Sequence, residues 1–130
     1  MKHFTLSELT RSSTAEARGL KNIPNETQRE ALISLVEHLL DPLRDAFGEP
    51  IRVLSGFRSQ EVNRLVGGVP TSQHLRGEAA DLACRVGPEK LLQILQKSGL
   101  AFDQAIVYRQ RSFLHLSYKK GCCREMILRK

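Results

Sequence analysis

The order of elements along the chain predicts an α+β fold, with helices packed on a small, mostly antiparallel sheet. Three observations carry that prediction. Helical periodicities crowd the first half, short strand-like runs dominate the last third, and no repeat, low-complexity stretch or linker divides the 130 residues. A hydrophobic share of 41% with 26% charged residues belongs to a globular chain, and the length is that of one ordinary domain. Residues 1–130 are therefore read as a single domain whose core needs no disulfide.

Thr5 followed by Glu8 has the form of a capping box and marks a first helix. A long helix is expected from near Glu26, because Ala31, Leu32, Leu35, Val36, Leu39, Leu40 and Leu43 recur at helical spacing as one apolar stripe. Pro42 falls inside that stripe and, lacking a backbone donor, is expected to kink the helix. Pro50 to Gly56 reads as a strand ended by glycine, and Ser59 to Val66 as a helix closed by Gly67 and Gly68. Glu78 to Ala83 is apolar enough for a buried strand. Pro88 suits the first turn of another helix, with Leu91, Leu92, Ile94 and Leu95 inward and Gly99 as its stop. Gln104–Tyr108, Phe113–Tyr118 and Arg124–Leu128 complete the set as strands.

The net charge of +6 favours an anionic partner, whether nucleic acid, membrane surface or an anionic polymer. Five Phe, two Tyr and no Trp offer few surfaces on which bases stack, and no nucleic-acid motif is present, so nucleic acid is not expected. No apolar run approaches the ~20 residues that cross a bilayer. The opening residues lack the apolar region of a signal peptide, so synthesis into the cytoplasm is expected. Cys84, Cys122 and Cys123 are odd in number and two are adjacent, so reduced thiols are expected rather than a disulfide framework.

The stretch Ser72-Gln73-His74-Leu75-Arg76-Gly77-Glu78-Ala79-Ala80-Asp81 sets a histidine and an aspartate seven residues apart with a glycine between them. Zinc takes imidazole nitrogen and carboxylate oxygen, and catalytic zinc sites keep three protein ligands and one open position. Spacing alone leaves two readings open: metal ligands, or a loop histidine and an ordinary strand-end acid. His115 bears on the choice. It sits in the middle of an otherwise apolar run from Phe113 to Tyr118, where a buried imidazole needs a partner, and it would supply the third ligand. Cys84 is rejected as a fourth, since residues three apart on a strand face opposite sides.

Ser72-x-His74-x-x-Gly77-x-Ala79-x-Asp81 resembles the signature of the D-alanyl-D-alanine carboxypeptidase family of zinc peptidases, which includes VanX- and VanY-type enzymes and phage L-alanyl-D-glutamate endolysins. Ser55-Gly56-Phe57-Arg58, Asn63 with Val66-Gly67-Gly68, Phe102-Asp103-Gln104 and the strand around His115 are similar to further segments of that family, in the same order. The resemblance runs from about Phe4 to Leu128 and is strongest to the small stand-alone members of bacteria and phages. It implies a Hedgehog/DD-peptidase-like fold with one Zn²⁺ per chain, held in a cleft by His74, Asp81 and His115. It implies that Arg58 contacts substrate and steadies developing negative charge, and that Ser72 and Gln104 face substrate or shape the site. The implied partner is a peptidoglycan stem peptide, cleaved by a monomer that meets the cell wall after release or export.

The sequence departs from the family at one functional position. The resemblance implies an acidic residue, the base that activates water, a few positions before the last histidine ligand. Val107 to Ser112 contains no carboxylate, and Tyr108 falls where an acid is expected. Asp103 is the nearest preceding acid, twelve residues before His115, and is the weak remaining candidate. Two functional classes are therefore expected: a peptidase, or a weakened relative that binds cell-wall peptide without turning it over.

Overall fold

Local signals account for most of the elements in the computed structural model, which describes residues 1–130. Helix α1 (Leu6–Thr10) begins with the predicted reciprocal capping box between Thr5 and Glu8. Helix α2 (Ser13–Arg18), capped by the Ser12 side chain, is absent from the sequence reading. Its six residues bury only Ala15, so no apolar stripe announces it.

The long helix begins as α3 (Glu26–Leu35), with Asn25 and Gln28 forming a second capping box. The helix continues past Pro42, where a kink is expected from the sequence. The chain passes through one π turn, Val36–Leu40, and continues as α4 (Asp41–Phe47) to a left-handed Gly48. The Asp41 amide donates to the Val36 carbonyl, so the ladder changes register in the turn before the donorless proline. Helix α5 (Gln60–Leu65) is capped by Ser59, and α6 (Pro88–Ser98) has the predicted proline start and glycine stop.

Five strands, β1 (Arg52–Ser55), β2 (Ala79–Ala83), β3 (Gln104–Tyr108), β4 (Phe113–Ser117) and β5 (Met126–Arg129), form one sheet in the order β1-β2-β4-β3-β5. Every neighbouring pair is antiparallel except β3 and β5, which run parallel. The connection over residues 118–125 explains the exception. Strand β4 ends beside the start of β3, and the chain passes around that same start to begin β5 on the far side of β3, with Met126 opposite Gln104. No crossover over the sheet face is needed.

The sheet has two unlike faces because side chains alternate along each strand. Ala80, Leu82, Ala105, Val107, Leu114 and Leu116 point to one face and join Leu32, Leu35, Leu39, Leu43, Leu91 and Leu95 in a single buried cluster. The other face carries a row of directly paired residues across the strands: Ser55, Asp81, His115, Ile106 and Leu128. Asp81, His115, Ile106 and Leu128 of that row line a cleft of about 1290 Å³. No helix is long and apolar enough to cross a membrane.

Candidate metal centre

His115 and Asp81 meet because they are opposed residues of the antiparallel pair β2/β4, whose side chains stand on the same face. His115 Nδ1 lies 2.9 Å from Asp81 Oδ1. His74 arrives from a 3₁₀ turn, Gln73–Arg76, that stands over the sheet. The Ser72 hydroxyl opens that turn by accepting the His74 amide proton at 3.2 Å. Gly77 closes it at φ 73°, and an added Cβ there would collide with the Gln28 carbonyl of α3. Gln28 Nε2 in turn donates to the Leu75 carbonyl at 3.0 Å, so the turn is fixed from both sides.

One hydrogen bond sets the His74 ring. Nδ1 lies 2.7 Å from the Gly56 carbonyl, which can only accept, so Nδ1 carries the proton and Nε2 presents a lone pair. That lone pair faces Asp81 Oδ1 at 3.2 Å. Two acceptors at that distance require a cation or a proton between them. The ligand atoms of His74, Asp81 and His115 all lie within 4.8 Å of one another, and exposure is 2%, 6% and 9%. Two imidazole nitrogens and one carboxylate oxygen are the donor set zinc accepts, and the residues fit such an ion. Burial alone would raise the Asp81 carboxyl; protons held between it and the His115 and His74 nitrogens outweigh burial and keep the group well below the usual carboxylate range.

Arg58 forms the adjoining wall. Its Nε donates to Ser55 Oγ at 3.1 Å, Nη1 to Asn63 Oδ1 at 3.2 Å and Nη2 to Asp81 Oδ2 at 3.4 Å. Three anchors hold the guanidinium plane in one orientation beside the cluster. Burial lowers the basicity of Arg58, and the Asp81 charge partly restores it. Ser72 and Gln104 also line the cleft. The Gln104 amide is tied to Ser117 Oγ at 3.0 Å through its backbone only, which leaves its side chain without a protein partner.

Asp103 lines the same cleft, but both its oxygens are taken. Oδ1 accepts from the Arg124 amide at 3.1 Å and from Arg124 Nε at 2.7 Å; Oδ2 accepts from Arg124 Nη2 at 3.0 Å and from Gln73 Nε2 at 2.9 Å. Arg124 holds the Asp103 carboxyl below its ordinary value, which weakens it as a base. The clamp also binds the start of β5 to β3, since the Met126 amide donates to the Asp103 carbonyl at 2.9 Å.

The depressed Asp103 value has a consequence for stability. The clamp stabilises the fold at pH values above the unfolded carboxyl value of about 3.9, and that contribution is lost as pH falls through the lower folded value. Asp103→Asn should therefore be less stable than the native chain near neutrality, with the difference closing in acid. Thermal melts from pH ~7 down to pH ~2 read this directly; parallel curves for the two proteins would refute it.

Gln73 has no role in the sequence reading, because a glutamine beside a histidine carries no distinctive pattern. It is buried, and its Nε2 reaches both Asp103 and, at 3.4 Å, Glu78 Oε1, linking the His74 turn to β3. Tyr108 lies on the cleft face, stacked on Phe113 with ring centroids 4.6 Å apart. Asp81 and Asp103 are the carboxylates that line the cleft, so no free acid stands near the cluster.

Two comparisons bear on this arrangement. A sequence model of the family described as Peptidase M15 matches residues 2–117. A zinc D-Ala-D-Ala carboxypeptidase of Streptomyces albus G is 38% identical over 81 residues, covering 62% of this chain and 31% of that protein. The chain thus matches about a third of the length of that relative.

Proposed function

The chain belongs to the peptidase M15 family, and from that premise we propose that it is a zinc-dependent peptidase hydrolysing peptide bonds in peptidoglycan stem peptides. The observation that carries the proposal is the convergence of His74, Asp81 and His115 beside an anchored Arg58 at the floor of an open cleft. The relative named above, a zinc carboxypeptidase acting on D-Ala-D-Ala, supports the metal and the substrate class. We take residues 1–130 as one domain acting with one ion per chain.

When bound, zinc supplies a Lewis acid for the scissile carbonyl and lowers the pKa of water. The chain supplies position and charge. Gly56 fixes the His74 ring so that Nε2 faces Asp81 and would be free to hold the ion, and Asp81 would contribute the anionic ligand. Arg58, held by Ser55, Asn63 and Asp81, aims a permanent positive charge at the oxygen of the bond being cleaved. The Ser72 hydroxyl and the free Gln104 amide hold the peptide backbone along the floor. Proton removal from water has no dedicated residue: Tyr108 occupies the place, and Asp103 is clamped by Arg124. Turnover is expected to be slow, because no residue of the chain is free to take the proton from water.

The direct test is hydrolysis of a synthetic stem peptide ending in D-Ala-D-Ala, followed by mass spectrometry. Zinc-loaded protein should release a cleaved product, chelated protein should not, and added zinc should restore it. Stoichiometric zinc with peptide binding but no product after prolonged incubation would favour the second reading, a relative that holds cell-wall peptide without turnover. The missing free acid is the observation behind that reading.

A further inference from the structure

The walls of the cleft carry far more positive than negative charge, and the excess sits on residues outside the metal cluster. Three of its cations are already matched: Arg58 by Asp81, Arg76 by Glu78 and Arg124 by Asp103. Arg109, Arg111, Lys119 and Lys130 also line it, are exposed, and form no ion pair. Glu89, whose charge reaches Arg109, forms its ion pair with Arg129 instead, at 2.7 and 3.2 Å.

The fold concentrates three of these groups. Arg109 and Arg111 occupy the four-residue hairpin between β3 and β4, where Ser112 turns the chain at φ 56°. The Arg109 amide donates to the Lys130 carbonyl at 3.1 Å, which brings the end of β5 against the hairpin. Lys130 Nζ lies 5.8 Å from the centroid of the Tyr108 ring. Lys119 stands beyond the opposite end of β4, so unpaired positive charge flanks the metal cluster on both sides along the strand.

We propose that this cleft selects acidic peptides, with free carboxylates of the ligand held by Arg109, Arg111 and Lys130 at one end and by Lys119 at the other. Guanidinium and ammonium groups without partners at a cleft mouth raise the local concentration of anions and pair with carboxylates on docking. A peptide is favoured over nucleic acid by the aromatic inventory. Tyr108 stacks on Phe113 and carries Lys130 over its ring, so the tyrosine of the cleft is already engaged and few aromatic surfaces remain on which bases stack. The charge also suits the vacancy at the catalytic position: a site without a free carboxylate of its own imposes no repulsion on an anionic ligand. This inference rests on the peptidase reading for the orientation of the ligand, not for the existence of the subsite.

Isothermal titration of the full zinc-loaded chain tests it. Two synthetic peptides of equal length are compared, one carrying two glutamates and a free C-terminus, the other glutamines and a C-terminal amide. The acidic peptide should bind about tenfold more tightly at low salt, and the preference should shrink as salt rises. Arg109→Gln with Arg111→Gln should move the ratio of the two affinities toward one. Equal affinities for the two peptides, or no binding of either, would overturn the proposal. So would displacement of the acidic peptide by an equimolar single-stranded oligonucleotide, which would assign the charge to nucleic acid. Hydrolysis separates the two readings. Cleavage of both peptides with equal affinity keeps the peptidase and removes the subsite; a strong acidic preference with no cleavage of either does the reverse.

Discussion

His115→Ala is expected to lose bound zinc and, with it, hydrolysis of stem peptide. The native chain should carry about one zinc after dialysis, and two remaining ligands hold the ion poorly. The substitution also removes the shorter of the two imidazole contacts to Asp81 Oδ1, 2.9 Å against 3.2 Å from His74. His115 stands in the central strand β4 with its backbone paired on both sides, so the sheet itself does not depend on the ring. Elemental analysis after gel filtration gives the stoichiometry, and circular dichroism shows that the sheet persists. His3→Ala is the matched control, since His3 pairs with Asp45 on the surface and should leave zinc unchanged. Retention of a full equivalent of zinc by folded His115→Ala would place the metal elsewhere.

Tyr108→Glu is expected to raise turnover. Ile106 is directly opposite His115, and Tyr108 lies two residues further along the same strand, on the same face. Such a diagonal neighbour is about 7–8 Å away between backbones, within reach of a glutamate side chain. General-base help is worth about 10² to 10⁴ in rate. Lys130 stands over the present ring and would pair with the new carboxylate, which depresses its basicity and places the gain toward the low end of that range. The gain should be complete above pH ~6, where a glutamate of ordinary pKa is ionised. Tyr108→Gln, similar in size without charge, separates a base from mere relief of crowding. Equal turnover in the native chain and Tyr108→Glu, both with zinc, would turn attention to Asp103 released from Arg124.

Much of the fold is legible in the residue order. The capping box at Thr5, the leucine stripe of the long helix, the Pro88 start and Gly99 stop, and the five strand runs are all local signals, and each lies within a few residues of its element. The short helix Ser13–Arg18 is not legible, because six residues with one buried alanine have no periodicity to read. What happens at Pro42 is legible only in part. Its missing donor is a local fact, but the π turn at Val36–Leu40 that accommodates it is held by burial of Val36, Leu39 and Leu40 in the core.

The candidate ligands were legible as residue types at a spacing, together with a resemblance of ordered motifs. Their convergence is a tertiary fact. Only strand register makes Asp81 and His115 opposite neighbours, and only the Gly77 turn over the sheet aims His74 at the same carboxylate oxygen. The fate of Asp103 belongs to the same class. As a sequence position it is the nearest acid before His115; in space it is clamped by an arginine twenty-one residues later, across a parallel strand pair that no local pattern announces. Chain order determined the elements and the chemistry of their side chains, because caps, periodicity and donor types act over a few residues. Tertiary structure decided which charges meet and which stay free, because pairing across strands depends on distances that sequence separation does not encode.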